Sequence, residues 1–159
     1  YLWDIDDSRQ KKYSVHKNTK SIKLIWTEND NKFNKTINDK LLILFKPFID
    51  DLLNILKQKF NYDNYYILKL TFVKLLPQSQ VLPHIDNGRL LRLPNRIHIP
   101  IISNSDVITS INNKQFYMKP GIIYNFNNTL MHGINNKSDI GRVHCIIDYI
   151  DKKVFDEKL

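Results

Sequence analysis

The 159-residue chain holds a single cysteine, Cys145, so no disulfide can form within it. That excludes the disulfide-stapled scaffolds of small secreted domains and fits a reducing compartment, which makes a cytoplasmic location the expectation. No window approaches the roughly 18 uncharged apolar residues of a membrane span, and no basic n-region leads into a short apolar core at the start. No membrane partner is therefore expected of the visible chain. Internal repeats, low-complexity tracts and Gly/Ser linkers are missing too, so residues 1–159 read as one domain. The first residue is Tyr rather than Met, and the chain is expected to begin inside a longer reading frame.

What is present suffices for a core: 42% of residues are hydrophobic and 11% aromatic. The formal charge of +8 would attract nucleic acid if it were clustered, because Lys and Arg release counterions on binding phosphate. Here the lysines are scattered among abundant Asn and Ile, which reads as compositional bias rather than a basic face. A nucleic-acid partner is not expected.

The pattern changes character once along the chain. Residues 37–60, INDKLLILFKPFIDDLLNILKQKF, have helical spacing, with Pro47 opening a second segment in which Phe48, Leu52, Ile55, Leu56 and Lys59 share a face. After NYDNYY the texture is β. YYILKLTFVKLL, RIHIPII, DVITSI, KQFYM, GIIYNF and RVHCIIDYI are short, rich in β-branched and aromatic residues, and separated by Pro, Gly, Asn and Ser. SIKLIW adds an earlier strand. So many short strands imply an antiparallel sandwich or barrel, mainly β with supporting helices. Cupin-like jelly rolls of this kind hold ligands in an open mouth.

The stretch VLPHIDNGR, residues 81–89, supplies the candidate chemistry. His84 and Asp86 have the same parity on a strand or its extension, so both can point into a barrel mouth while Ile85 points away. On its own a His-x-Asp pair is most often ordinary loop chemistry. His132, 46 positions beyond Asp86 in NNTLMHGINN, is the best candidate for a third ligand. Two His and one carboxylate leave open positions on a metal, the arrangement of non-haem Fe(II) oxygenases. Ten residues on stands Arg142, whose planar fork suits a carboxylate, and an Arg facing an apolar interior needs an anion.

The segments LPHIDNGRLLRLPNRIHIPI, MKPGIIYNFNNTLMHGINN and GRVHCIIDY, from about Leu70 to Tyr149, resemble the Fe(II)- and 2-oxoglutarate-dependent dioxygenases, within them the aspartyl/asparaginyl β-hydroxylase-like family. The resemblance implies a double-stranded β-helix and a 2-oxoglutarate- and O₂-dependent hydroxylase that releases succinate and CO₂. It implies His84 and His132 as iron ligands, with Asp86 completing the triad, and Arg142 as partner of the distal carboxylate of 2-oxoglutarate. Arg96 and His98 match positions that line the pocket and contact cosubstrate or substrate. Animal members of the family have Gly where Asp86 stands, and the family pattern has Ser near Val73. The acceptor expected is an amino-acid side chain, free or in a peptide or protein, with Arg89 and Arg92 placed to meet an acidic group.

Two other classes compete. A nucleic-acid-modifying oxygenase of the same superfamily would have a second Arg six residues after the first in the last strand, where this chain has Asp148. A non-catalytic cupin-like binding module would tolerate loss of a ligand. Of the remaining residues, His144 shares the parity of Arg142 and is expected to face solvent or to back the pocket wall, His16 to sit in a loop before a strand, and Tyr124 and Trp26 to serve packing.

Overall fold

The computed structural model describes residues 1–28, 34–60 and 64–158. The strands are β1 (Thr19–Thr27), β2 (Lys35–Ile37), β3 (Tyr65–Leu75), β4 (Ser79–His84), β5 (Asn95–Ile102), β6 (Val107–Ile111), β7 (Lys114–Tyr117), β8 (Tyr124–Asn125), β9 (His132–Asn136) and β10 (Arg142–Asp151). The helices are α1 (Ser8–Lys12), α2 (Asp39–Leu44), α3 (Lys46–Phe60), α4 (Arg89–Arg92) and α5 (Lys152–Lys158), with single 3-10 turns at Leu2–Asp4 and Ser14–His16. All strand pairings among the described residues are antiparallel, in a six-stranded sheet of order β2-β1-β3-β10-β5-β8 and a four-stranded sheet of order β4-β9-β6-β7. The two sheets form a double-stranded β-helix. No helix among the described residues is long and apolar enough to cross a membrane.

The helical stretch begins at Asp39, two residues after the expected start, because Ile37 pairs in β2 and the Asn38 side chain caps α2 by accepting from the Leu41 amide at 3.1 Å. Pro47 has no N–H to return to the carbonyl four residues back, and the helix breaks at Phe45. Helix α3 then buries Ile49, Leu52 and Leu56, with Phe48 and Leu53 partly covered beside them. Ile55, expected on that face, is exposed, and the side chain of Lys59 lies outside the described residues. The strand expected over GIIYNF shrinks to Tyr124–Asn125.

Alternation along the large sheet divides its two faces by chemistry. Leu70 and Phe72 of β3, Ile97 and Ile99 of β5, and Val143, Cys145 and Ile147 of β10 form one apolar cluster with α3. Each such burial contributes about 1.5–3 kcal/mol, so the main apolar core lies between sheet and helices rather than inside the barrel. Cys145 sits in this core with its thiol pushed up to about 12 by burial. The alternate residues face the barrel interior and are largely polar: Lys69 and Thr71, Arg96 and His98, Arg142, His144 and Asp148. His144 is buried beside Arg142, so of its two expected places the one backing the pocket wall is taken and the solvent-facing one is not. A polar interior costs stability unless its groups find partners, and those partners define the site.

Candidate active site

Strands β4 and β9 bring the two candidate histidines together. His84 and His132 are direct cross-strand partners, with ring centroids 4.3 Å apart. Two residues make this approach possible. Pro83 interrupts the ladder but lies on an edge strand, where the missing N–H breaks little. At Gly133 a Cβ would stand 3.1 Å from both the Pro83 nitrogen and the Val81 carbonyl oxygen, so any larger residue would push β9 and β4 apart by a few tenths of an ångström.

Each imidazole is fixed by a backbone carbonyl two residues upstream. Nδ1 of His84 lies 2.8 Å from the Leu82 oxygen, and Nδ1 of His132 lies 2.9 Å from the Leu130 oxygen. A carbonyl only accepts, so both Nδ1 atoms carry the proton and both Nε2 lone pairs are left free. The Asp86 carboxylate is divided in the same way. Oδ2 accepts from the Arg96 guanidinium and from the Asn128 amide at 3.1 Å, while Oδ1 faces His84 Nε2 at 3.6 Å. One ligand atom from each of His84, Asp86 and His132 falls within 4.8 Å of the other two. Neutral, carbonyl-anchored imidazoles beside one carboxylate oxygen are a donor set for a divalent transition metal.

Burial disfavours the charge on Asp86, but the neighbouring His84 ring, the charge of Arg96 and the Asn128 amide together hold it well below the usual carboxylate range. The same carboxylate raises His84, so a proton and a metal ion compete for its Nε2, while burial lowers His132.

Asp86 is not placed by strand parity, since β4 ends at His84. It is placed by long-range contacts: its amide bonds to the Asn128 carbonyl at 3.2 Å, and Arg96 bridges it to Asp148. The Arg96 fork meets both Asp148 oxygens, at 2.7 and 2.8 Å. Burial disfavours the Arg96 charge, yet Asp148 and Asp86 more than restore it. Arg96, expected to contact cosubstrate or substrate, is thus engaged with carboxylates of its own chain. Asp148→Asn would leave that guanidinium to Asp86 alone and draw it across both oxygens. The affinity of the cluster for a divalent transition metal is expected to fall by about tenfold or more in a titration run well below the melting temperature.

A narrow inner cleft of about 50 Å³ runs below the histidines, lined by His98, Phe126, His132 and Arg142. Arg142 is 2% exposed, and no carboxylate lies within ion-pair reach of it among the described residues. Its Nη2 donates to His144 Nδ1, and its Nε is buried without a partner. Burial brings the group down to about 9, with the charge of Arg9 adding to the effect. His98 stacks on Phe126 at 4.3 Å, and its Nε2 and that of His144 are likewise buried and unpartnered. Burial and the Arg142 charge keep both rings neutral, each shifted well below the ordinary histidine range. A buried cation without an anion, beside two unpaired ring nitrogens, fits a small dicarboxylate such as 2-oxoglutarate. Thr19 lines the same cleft, but its hydroxyl proton goes to the His16 carbonyl at 2.7 Å, so it does not supply the donor missing at Val73.

A wider outer cavity of about 350 Å³ opens on the other side of His84 and Asp86. Sequence reasoning missed four of its polar residues: Arg9, His16, Lys69 and Asp148. His16 lies in a 3-10 turn rather than an open loop, and its ring meets His84 edge-on at 5.8 Å. Trp26, expected only to pack, lines this cavity as well, while the Tyr124 hydroxyl accepts from the Lys119 amide at 2.8 Å and lines neither space. Arg89 and Arg92 lie exposed on α4 and line neither cavity, Arg89 donating instead to the Lys158 carbonyl.

A double-stranded β-helix with a His/Asp/His cluster at its mouth that could hold a metal ion places the chain among cupin-like barrels. Within that class the chain matches the aspartyl/asparaginyl beta-hydroxylase family over residues 47–152, and it belongs to that family. No curated protein matches it in sequence. Among solved structures, a 2OG-Fe(II) oxygenase family oxidoreductase from Burkholderia pseudomallei aligns with 85% of this chain and 69% of its own, at a TM-score of 0.57 and 11% identity. A sugar phosphate isomerase of the cupin superfamily from Silicibacter pomeroyi covers 85% of this chain and 61% of its own (TM-score 0.46, 10% identity). A cupin domain from Bordetella pertussis covers 57% and 86% (TM-score 0.41, 14% identity).

Proposed function

We propose that the protein is an Fe(II)- and 2-oxoglutarate-dependent hydroxylase acting on an amino-acid side chain, free or within a peptide or protein. One observation carries the reading: the Nε2 atoms of His84 and His132 and Oδ1 of Asp86 converge by the cleft that holds the buried Arg142, which has no counter-ion among the described residues. Bound there, Fe(II) would supply the O₂ chemistry, with 2-oxoglutarate leaving as succinate and CO₂. The chain's own residues do the rest. Leu82 and Leu130 carbonyls hold the two imidazoles in the ligating tautomer. Arg96 and Asn128 hold Asp86 to a single free oxygen. Arg142 takes the distal carboxylate, His98 and Phe126 wall the cleft, and the outer cavity receives the acceptor.

A flipped nucleobase would need a free aromatic face at the mouth. Trp26 does not offer one, because the Lys23 and Lys69 ammonium groups lie 4.6 and 4.7 Å from its ring centroid. One turnover assay containing Fe(II), 2-oxoglutarate and either mixed peptides and amino acids or single-stranded oligonucleotides tests the reading. Succinate release is expected to rise with the first set and not with the second. Stimulation by an oligonucleotide, with a matching mass change on a base, would overturn it.

A further inference from the structure

The outer cavity is lined by three cations and three carboxylates, but they are unevenly paired. Arg96 is matched by Asp86 and Asp148. Glu28, the remaining carboxylate in the wall, has a side chain 43% exposed, accepts from Trp26 Nε1 at 2.9 Å and faces Lys12 at 3.6 Å. Two cations are left over. Lys69 is 5% exposed, rests on the Trp26 ring, and has no carboxylate oxygen within 4 Å among the described residues. Arg9 of α1 donates through Nη2 to His16 Nε2 at 3.1 Å, while its Nη1 is buried without a partner. Burial brings Lys69 down to about 8 and Arg9 down to about 10 in spite of the charges of Asp86 and Asp148, and an anion in direct contact would reverse that direction. Leaving such cations buried is costly, and an anion supplied from outside removes the cost.

The rest of the wall is mainly apolar, with Val15, Ile85, Leu91 and Ile146 turned into the space. Arg9 and His16 border both the outer cavity and the inner cleft, and His16 touches His84. We infer that Arg9 and Lys69 form an anion subsite that binds a carboxylate of the acceptor, whose apolar body lies along Val15, Ile85, Leu91 and Ile146 beside the metal ligands. The inference rests on the proposed function, which gives Arg142 and the inner cleft to 2-oxoglutarate. It assigns acceptor specificity to the N-terminal segment and β3, since Arg96 is already engaged with Asp86 and Asp148.

The test uses a small probe of that chemistry. In a Trp3→Phe protein, Trp26 is the sole tryptophan and reports on the outer cavity. Under argon, with Fe(II) and 2-oxoglutarate bound so that Arg142 is occupied, benzoate and its neutral isostere benzamide are titrated against Trp26 fluorescence. Benzoate is expected to bind roughly tenfold or more tighter than benzamide, and that preference should vanish in Arg9→Gln and Lys69→Met while Arg9→Lys and Lys69→Arg keep it. Absence of benzoate binding, equal binding of benzamide, or an undiminished preference in both neutral variants would overturn the inference. Phenyl phosphate binding more tightly than benzoate would overturn the carboxylate assignment. If a neutral variant does not fold, the benzoate-to-benzamide ratio and its loss on raising salt still decide the matter in the parent protein. Failure of the protein to take up Fe(II) or 2-oxoglutarate at all is a separate result, which sinks the proposed function, and the benzoate titration is then read on the protein alone.

Discussion

His132→Ala is expected to abolish stoichiometric iron uptake, with His84→Ala doing the same. Each ring has one nitrogen committed to a carbonyl, so each offers one lone pair and has no substitute atom. After either change Asp86 and a single imidazole remain, and Asp86 has only Oδ1 to give because Arg96 and Asn128 hold Oδ2. A loss of about a hundredfold or more in Fe(II) affinity follows. Asp86→Ala should weaken binding less, since both imidazoles survive it. His132 also packs edge-on against Phe126 at 5.2 Å, so its removal costs about 1 kcal/mol or more of packing and lowers the melting temperature by a few degrees. Anaerobic titration with metal analysis measures the first effect and thermal unfolding the second. Tight, one-to-one iron retained by both alanine variants would remove the triad from the account.

The parts of this site that were legible in the sequence are those encoded by local pattern. Alternation along RVHCIIDYI and RIHIPII separates an apolar set from Arg142, His144, Arg96 and His98, and the structure keeps that division. Helical spacing over residues 46–60 gave the layer against which the apolar set packs, with the buried stripe shifted to Ile49, Leu52 and Leu56. What escaped depends on contacts between distant residues. Asp86 was assigned a direction from strand parity, but the strand has ended by then, and Asn128 and Arg96 aim it. Arg9 and His16 lie on a five-residue helix and a single 3-10 turn with no periodicity to read, and only tertiary packing brings them to His84. Lys69 could have been found: it alternates with Thr71 and Val73 on the inward face of β3, a signal hidden inside a run that reads as uniformly strand-forming. The four-residue α4 follows Gly88 at φ 114°, a turn whose outcome local sequence does not fix, and it carries Arg89 and Arg92 away from the cavity.

Arg142→Met is expected to move stability and ligand binding in opposite directions. Without an anion the buried guanidinium pays for desolvation with little return, and burial with the charge of Arg9 brings it down to about 9. Methionine fills similar volume without charge, so the ligand-free variant should gain stability, by about 1–3 kcal/mol after subtracting the bond to His144. For a chain of this size that is a rise of several degrees in melting temperature, on the order of 2–4 °C per kcal/mol. With 2-oxoglutarate the order reverses. The distal carboxylate would enter the cleft beside His98 and His144, which are neutral and cannot replace the lost charge. A loss on the order of 2–5 kcal/mol, more than tenfold in affinity, follows, while iron binding at His84, Asp86 and His132 persists. Thermal melts with and without 2-oxoglutarate read both effects in one experiment: the variant should melt higher alone and show no ligand-induced shift. A variant that melts lower when ligand-free, or that keeps the parent's 2-oxoglutarate shift, would mean that Arg142 is compensated within the fold and that another cation holds the cosubstrate.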